Sequence, residues 1–243
     1  MNIRVFDSEQ QAATACAARV AGAVRARPSL VLGLPTGRTP LNVYRELVAL
    51  SAREGLDWSA VRTFNLDEFV GLPATDGGSF RAYMERHLFR HVNLTPGNIH
   101  FLDGVAEDLE AECARYDTAL ADAGGLGLLL LGIGANGHLA FNEPAEGLVA
   151  ACHRTRLSRE TRLANLMLFG DDPGRVPMEA LTLGMGALLQ AGRAVLLAFG
   201  EGKAEAVRAM VEGPVTPRCP ASFLQLHRDV EVWLDAAAAR ALQ

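Results

Sequence analysis

Three short stretches of the chain concentrate residue types that can do chemistry. The first is GIGANGHLAFNEP, Gly132 to Pro144. Its glycines allow close backbone approach and positive φ. His138 is its only side chain that titrates near neutral pH. Glu143, five residues on, can orient that ring and raise its proton affinity, and Asn136 precedes it by two. A histidine after a strand is commonly structural, and the carboxylate and glycines around this one add a catalytic reading beside that. The second stretch is FNLDEFVGLP, Phe64 to Pro73, where Asp67 and Glu68 sit between apolar residues. A carboxylate in a partly desolvated mouth has a raised pKa and serves as a base toward a carbon acid. Two acids in a solvated loop would look the same. The third is GLPTGRTP, Gly33 to Pro40. A Gly-containing turn leads into a helix start flanked by Thr36 and Thr39, with Pro40 in the first turn. Backbone N–H groups at such a positive end suit a phosphate, and an ordinary βα turn fits the string equally. It is neither GxxxxGK[ST] nor GxGxxG.

All three stretches follow short apolar runs, and the elements around them say why that matters. Strands are expected at Ile3–Phe6, Ser29–Leu34, Val61–Leu66, Ile99–Leu102, Leu126–Leu131, Cys152–Leu157, Ala194–Phe199 and Val230–Leu234, with Glu179–Leu183 leading into Gly184–Gln190. Helical patterns fill the gaps: Ser8–Arg25 and Ser79–Arg90, each with a serine cap, then Thr39–Ala52, Ala106–Ala123, Arg159–Phe169, Lys203–Met210 and Ser222–Leu226. The alternation predicts an α/β fold, a Rossmann-like, mostly parallel sheet with helices on both faces, in one domain over residues 1–243. In such sheets ligands bind beyond the carboxyl ends of strands, where these stretches lie. GDDPGRVP, Gly170 to Pro177, reads as a surface loop, and Leu148–Phe169 as the candidate lid.

Composition narrows the partners. The chain has 243 residues, 49% hydrophobic, with net charge -5 and no basic run, so a nucleic-acid partner is not expected. No segment reads as a secretory signal or reaches the length of a membrane span. Cys16, Cys113, Cys152 and Cys219 are scattered without CxxC, which fits reduced thiols in a cytoplasmic protein. The remaining histidines form no ligand cluster, and no metal site is expected. His87 and His91, spaced i, i+4 at a helix end, fit a favourable dipole contact.

Together the three stretches resemble the glucosamine-6-phosphate deaminase family. LGLPTGRTP, FNLDEFVGLP with SFRAYMERHLF, LGIGANGHLAFNEP, TRLAN, ALTLGMG, GEGKAEAV and CPASFLQLH match in order over nearly the whole chain. The 6-phosphogluconolactonases share a Gly-rich histidine loop, but theirs continues HTAS where this one continues HLAFNEP. The resemblance implies that Asp67 moves the C2 proton of an open-chain amino sugar to C1. It implies that His138 opens the pyranose ring, with Glu143 polarising it. It assigns Thr36, Gly37, Arg38, Thr39 and Lys203 to the substrate phosphate. The implied reaction takes glucosamine 6-phosphate and water to fructose 6-phosphate and ammonium, without a cofactor.

Two positions depart from the family pattern. Asn136 stands where some members carry aspartate, which removes one carboxylate from beside the histidine and implies a lower histidine pKa. Met167 stands where many members place a phosphate-gripping arginine, leaving Arg38 or Arg162 to compensate. ACHRTRLS and the GEGK…PASFLQLH ending also resemble the galactosamine-6-phosphate deaminase branch, so that epimer is the alternative substrate. A lactonase and a non-catalytic sugar-phosphate sensor are the other readings. Activator-binding residues are not recognisable around Glu146–Thr155, which implies an unregulated enzyme, a monomer or homo-oligomer.

Overall fold

The structure is a computed structural model and describes residues 1–243. In chain order the elements are β1 (Asn2–Phe6), α1 (Glu9–Ala26), β2 (Val31–Leu34), α2 (Leu41–Glu54), β3 (Arg62–Asn65), β4 (Asp67–Phe69), α3 (Phe80–His87), β5 (Ile99–His100) and α4 (Leu109–Asp122). They continue with β6 (Leu128–Leu131), β7 (His153–Arg156), α5 (Arg159–Ala164), β8 (Glu179–Thr182), α6 (Met185–Leu189), β9 (Arg193–Ala198), α7 (Ala204–Val211), β10 (Val230–Asp235) and α8 (Ala236–Ala239). Ser8 and Ser79 cap α1 and α3 by accepting from the backbone N–H of Gln11 and Ala82.

Seven strands form one all-parallel sheet in the order β1-β10-β9-β6-β2-β3-β5. Every residue of β6 is buried, and its leucines alternate between two cores. Leu128 and Leu130 pack with α1, α2 and α3, whereas Leu129 and Leu131 pack with α4, α6 and α7. That period-2 split explains a strand of unbroken leucine, because both faces are covered by helices. From β2 the chain runs outward through β3 and β5, and from β6 it runs the other way through β9 and β10. Adjacent β2 and β6 therefore diverge at their carboxyl ends, which opens a crevice at the topological switch point. The loops GLPTGRTP and GIGANGHLAFNEP leave those two ends.

A second sheet corrects the expected layout. Asp67 and Glu68 do not lie in a loop. They begin β4, which pairs antiparallel with β8, and β8 pairs with β7. The expected strands at Cys152–Leu157 and Glu179–Leu183 belong to this sheet and not to the main one. The helix expected at Arg159–Phe169 breaks at Asn165 and finishes as a 3-10 turn over Leu166–Phe169. Residues Gly170–Pro177 form a loop, and α8 was not anticipated. All four cysteines are buried and unbridged. No helix is long and apolar enough to cross a membrane.

Candidate active site

The crevice holds an inner cleft of ≈130 Å³ and an outer one of ≈760 Å³, with Arg38, Thr39 and Asn165 on the wall of both. Asp67, His138 and Thr36 face the inner part, and Gly37 and Lys203 face the outer part. Seven of the nine residues picked from the sequence thus line one continuous space. Asn136 and Glu143 stand behind His138.

The two adjacent carboxylates have different surroundings. Glu68 accepts from the backbone N–H groups of Phe69, Phe80 and Arg81, each at 2.9 Å. It therefore caps the first turn of α3, and those donors oppose the burial that pushes it up to about 7. Asp67 is 6% exposed. Burial, with the Glu68 charge beside it, raises its pKa to about 8. A carboxylate so desolvated is a much stronger base than one in water, and its proton affinity sits near the working pH of a general base.

His138 is held from three sides. Its Nδ1 lies 3.4 Å from Thr161 Oγ1 and 3.8 Å from Glu143 Oε2. Asn136 Nδ2 donates to that same Glu143 oxygen at 2.8 Å, while its Oδ1 accepts from the His138 backbone N–H. Glu143 Oε1 also accepts from Ser158 N–H, at the start of α5. A proton kept on Nδ1 leaves Nε2 with the lone pair. Burial lowers the histidine pKa, partly offset by Glu143 and reinforced by Lys203, so the ring is neutral at pH 7. Thr161 escaped the sequence reading, because only the return of α5 over the cleft brings it to the ring. Asn142, quoted within the motif but given no role there, donates to the carbonyls of Leu139 and Leu183. It thereby braces the turn that holds Ala140 at φ 51, a strained value for a residue with a Cβ.

Gly134 explains one glycine of the loop. A Cβ there would lie 2.3 Å from His138 Nδ1 and 2.4 Å from its Cε1. The imidazole rests on bare backbone. Gly134→Ala is expected to displace the ring and lower kcat by roughly tenfold or more with an unchanged melting profile. Wild-type kcat in a folded Gly134→Ala protein would show that the ring position does not matter.

The loop Gly33–Pro40 presents donors outward. None of the backbone N–H groups of Thr36, Gly37, Arg38 and Thr39 has a protein acceptor. Gly37, at φ 103, makes the turn. Pro40 occupies the cap of α2 without a side-chain cap hydrogen bond, so the helix end stays open. Two tyrosines fix the peptide planes. Tyr44 donates to the Pro35 carbonyl, and Tyr83 donates to the Gly37 carbonyl at 2.6 Å. In a planar trans peptide the N–H opposes the C=O, so Thr36 N–H and Arg38 N–H point away from the tyrosines. Lys203 donates from Nζ to the Ile133 carbonyl at 2.8 Å, which links the outer cleft to the histidine loop.

The lid candidate supplies Ala164, Asn165 and Met167 to the outer wall. Phe169 packs with Phe69, Phe80 and Phe141 beneath it. Arg162 does not reach the phosphate cleft, contrary to one expectation. Its guanidinium donates to the carbonyls of Pro173 and Val176 and holds the 170–177 loop.

The family model described as glucosamine-6-phosphate isomerases/6-phosphogluconolactonase matches residues 6–233. The chain is 46% identical over 222 residues to glucosamine-6-phosphate deaminase 1 of Giardia intestinalis, covering 91% of this chain and 84% of that one. It is 41% identical over 243 residues to the glucosamine-6-phosphate deaminase of Clostridium perfringens strain 13, covering 100% of both. A monomeric glucosamine-6-phosphate deaminase of known structure superposes with TM-score 0.96 at 38% identity, over 99% of this chain and 100% of that one.

Proposed function

The chain belongs to the glucosamine-6-phosphate isomerase/6-phosphogluconolactonase family, and from that premise we infer that it is a glucosamine-6-phosphate deaminase. Glucosamine 6-phosphate and water become fructose 6-phosphate and ammonium. The site observation that supports this reading is a buried carboxylate, Asp67, facing the same small cleft as a neutral histidine.

The steps follow from proton affinities. The pyranose enters with its phosphate on the open end of α2, against the N–H groups of Thr36–Thr39, Arg38 and the Lys203 ammonium. His138 Nε2 takes the O1 proton and returns it to O5 as the C1–O5 bond breaks, leaving the open-chain aldehyde. The C1 carbonyl now acidifies the C2–H. Asp67 takes that proton, and the electron pair moves into a C1–C2 double bond. The C1 carbonyl pair moves to O1, which takes a proton from the substrate's C2 ammonium, and an enolamine forms. Return of the proton to C1 leaves an imine at C2. Water adds to it, the C2–N bond breaks, and ammonium departs. Glu143 and Asn136 hold His138 so that its charge is compensated during the shuttle. The proton transfers are carried by these side chains. Buried, unbridged thiols fit a reducing cytoplasm.

Ammonium release from purified protein tests the reading, with glucosamine 6-phosphate and galactosamine 6-phosphate offered separately and 6-phosphogluconolactone as control. Ammonium chiefly from the gluco substrate is the expected result. Lactone hydrolysis without ammonium would overturn it.

A further inference from the structure

The outer cleft carries a cation that none of these steps uses. Arg45 sits in the second turn of α2 and lines the same wall as Arg38, Thr39 and Lys203. Helical side chains slope toward the N-terminus, so a long side chain at this position covers the turn that follows the phosphate loop. Arg45 does so: its Nη1 donates to Asn42 Oδ1 at 3.1 Å. The other end of that carboxamide donates from Nδ2 to Glu9 Oε1 at 2.8 Å. Flipping the Asn42 amide would break both bonds, so Glu9, on α1, fixes which way Asn42 faces and where the guanidinium lies.

Arg45 is exposed, and no protein carboxylate neutralises it. Its charge leans toward the positive end of a helix, where cations are disfavoured. Arg38 and Lys203 share the cleft, so two guanidinium groups and an ammonium face Glu9, with Glu160 also acting on Lys203. The remaining positive charge suits an anion such as phosphate. On the opposite wall Met167, 55% exposed, contributes no charge, and Arg162 is committed elsewhere.

We propose that Arg45, aimed by Asn42 against Glu9, contacts the substrate phosphate and sets the preference for a 6-phosphorylated sugar. The proposal rests on the sugar-phosphate reading of the cleft. It is tested with Arg45→Met, Arg45→Lys and Asn42→Ala, in steady-state turnover of glucosamine 6-phosphate and in calorimetric titration with inorganic phosphate at fixed ionic strength. Melting profiles establish that each variant folds. Arg45→Met is expected to raise KM and weaken phosphate binding by roughly tenfold or more, with kcat within about twofold. Arg45→Lys recovers most of that loss, and Asn42→Ala loses an intermediate amount. A folded Arg45→Met protein with wild-type KM and phosphate affinity overturns the proposal, as does a loss of kcat that lysine fails to rescue. The phosphate titration does not depend on turnover. If the wild type binds phosphate but releases no ammonium, the functional reading fails while Arg45 is still decided by the variants. A wild type that binds no phosphate overturns the proposal, whatever ammonium it releases.

Discussion

Asp67→Asn is expected to lower kcat by about a thousandfold, within the range that loss of a general base produces, while a sugar phosphate still binds. The amide matches the carboxylate in shape but accepts no proton from C2. The phosphate loop is built on other elements and keeps its geometry. Two pH effects should accompany the loss. In the wild type the base works only when ionised, and its pKa is raised to about 8 by burial and Glu68. The rate should therefore climb with pH and level off above about 8. Stability should run the opposite way. The folded pKa of Asp67 lies above the ordinary value of 3.8, so folding retains a proton that the unfolded chain loses. The stability this contributes is complete below about pH 3.8 and is lost as pH rises through about 8. Asparagine is neutral throughout. The variant's melting temperature should therefore gain on the wild type's between about pH 4 and pH 8. More than about a tenth of wild-type turnover in the variant, far above what loss of a general base leaves, would remove Asp67 from the mechanism. Parallel melting curves across that range would remove its raised pKa.

Much of this site was legible before any coordinates, for a physical reason. In a parallel sheet each strand must end in a loop on one edge, so residues such as Thr36, Asp67 and His138 come together although far apart in sequence. Apolar runs and serine caps were enough to place those edges. The second sheet was not legible. β4 is three residues long, too short for an alternating pattern, and its partner β8 lies more than a hundred residues away. β7 reads HRTR, and its half-exposed pattern is set by that pairing and not by its own hydrophobicity. The string itself leaves Asp67 and Glu68 alike, and only the resemblance singles out Asp67. The fold shows the difference: Glu68 is bound by three backbone donors, while Asp67 faces the cleft.

The same limit applies to residues that act through helices. Tyr83 and Arg45 look like ordinary members of α3 and α2 in the sequence. Their roles depend on which face each helix turns toward the phosphate loop, and that face is set by core packing. Thr161 is another such residue, since its contact with His138 exists only because α5 folds back across the cleft.

His138→Gln should separate ring opening from the chemistry at C2. Glutamine fills similar space and can hydrogen-bond, but it cannot take the O1 proton and pass it to O5. Turnover of ordinary glucosamine 6-phosphate, which is overwhelmingly cyclic, is expected to fall roughly a hundredfold or more. A 4,5-dideoxy analogue lacks both oxygens that can close a ring on C1 and is always open-chain, so its reaction bypasses His138. Its turnover should change by no more than about threefold, because Asp67 and the phosphate loop are untouched. The neutral state of the histidine is part of this argument. Burial and Lys203 lower its pKa while Glu143, at 3.8 Å, offsets only part of the effect. Nε2 therefore starts with a free lone pair, and Glu143 with Asn136 stabilises the charge that appears in mid-transfer. Glu143→Gln should accordingly slow the cyclic substrate less than His138→Gln does, and spare the 4,5-dideoxy analogue as well. If His138→Gln slowed both substrates equally, the histidine would belong to the C2–C1 proton transfer or to substrate positioning, and ring opening would need another residue.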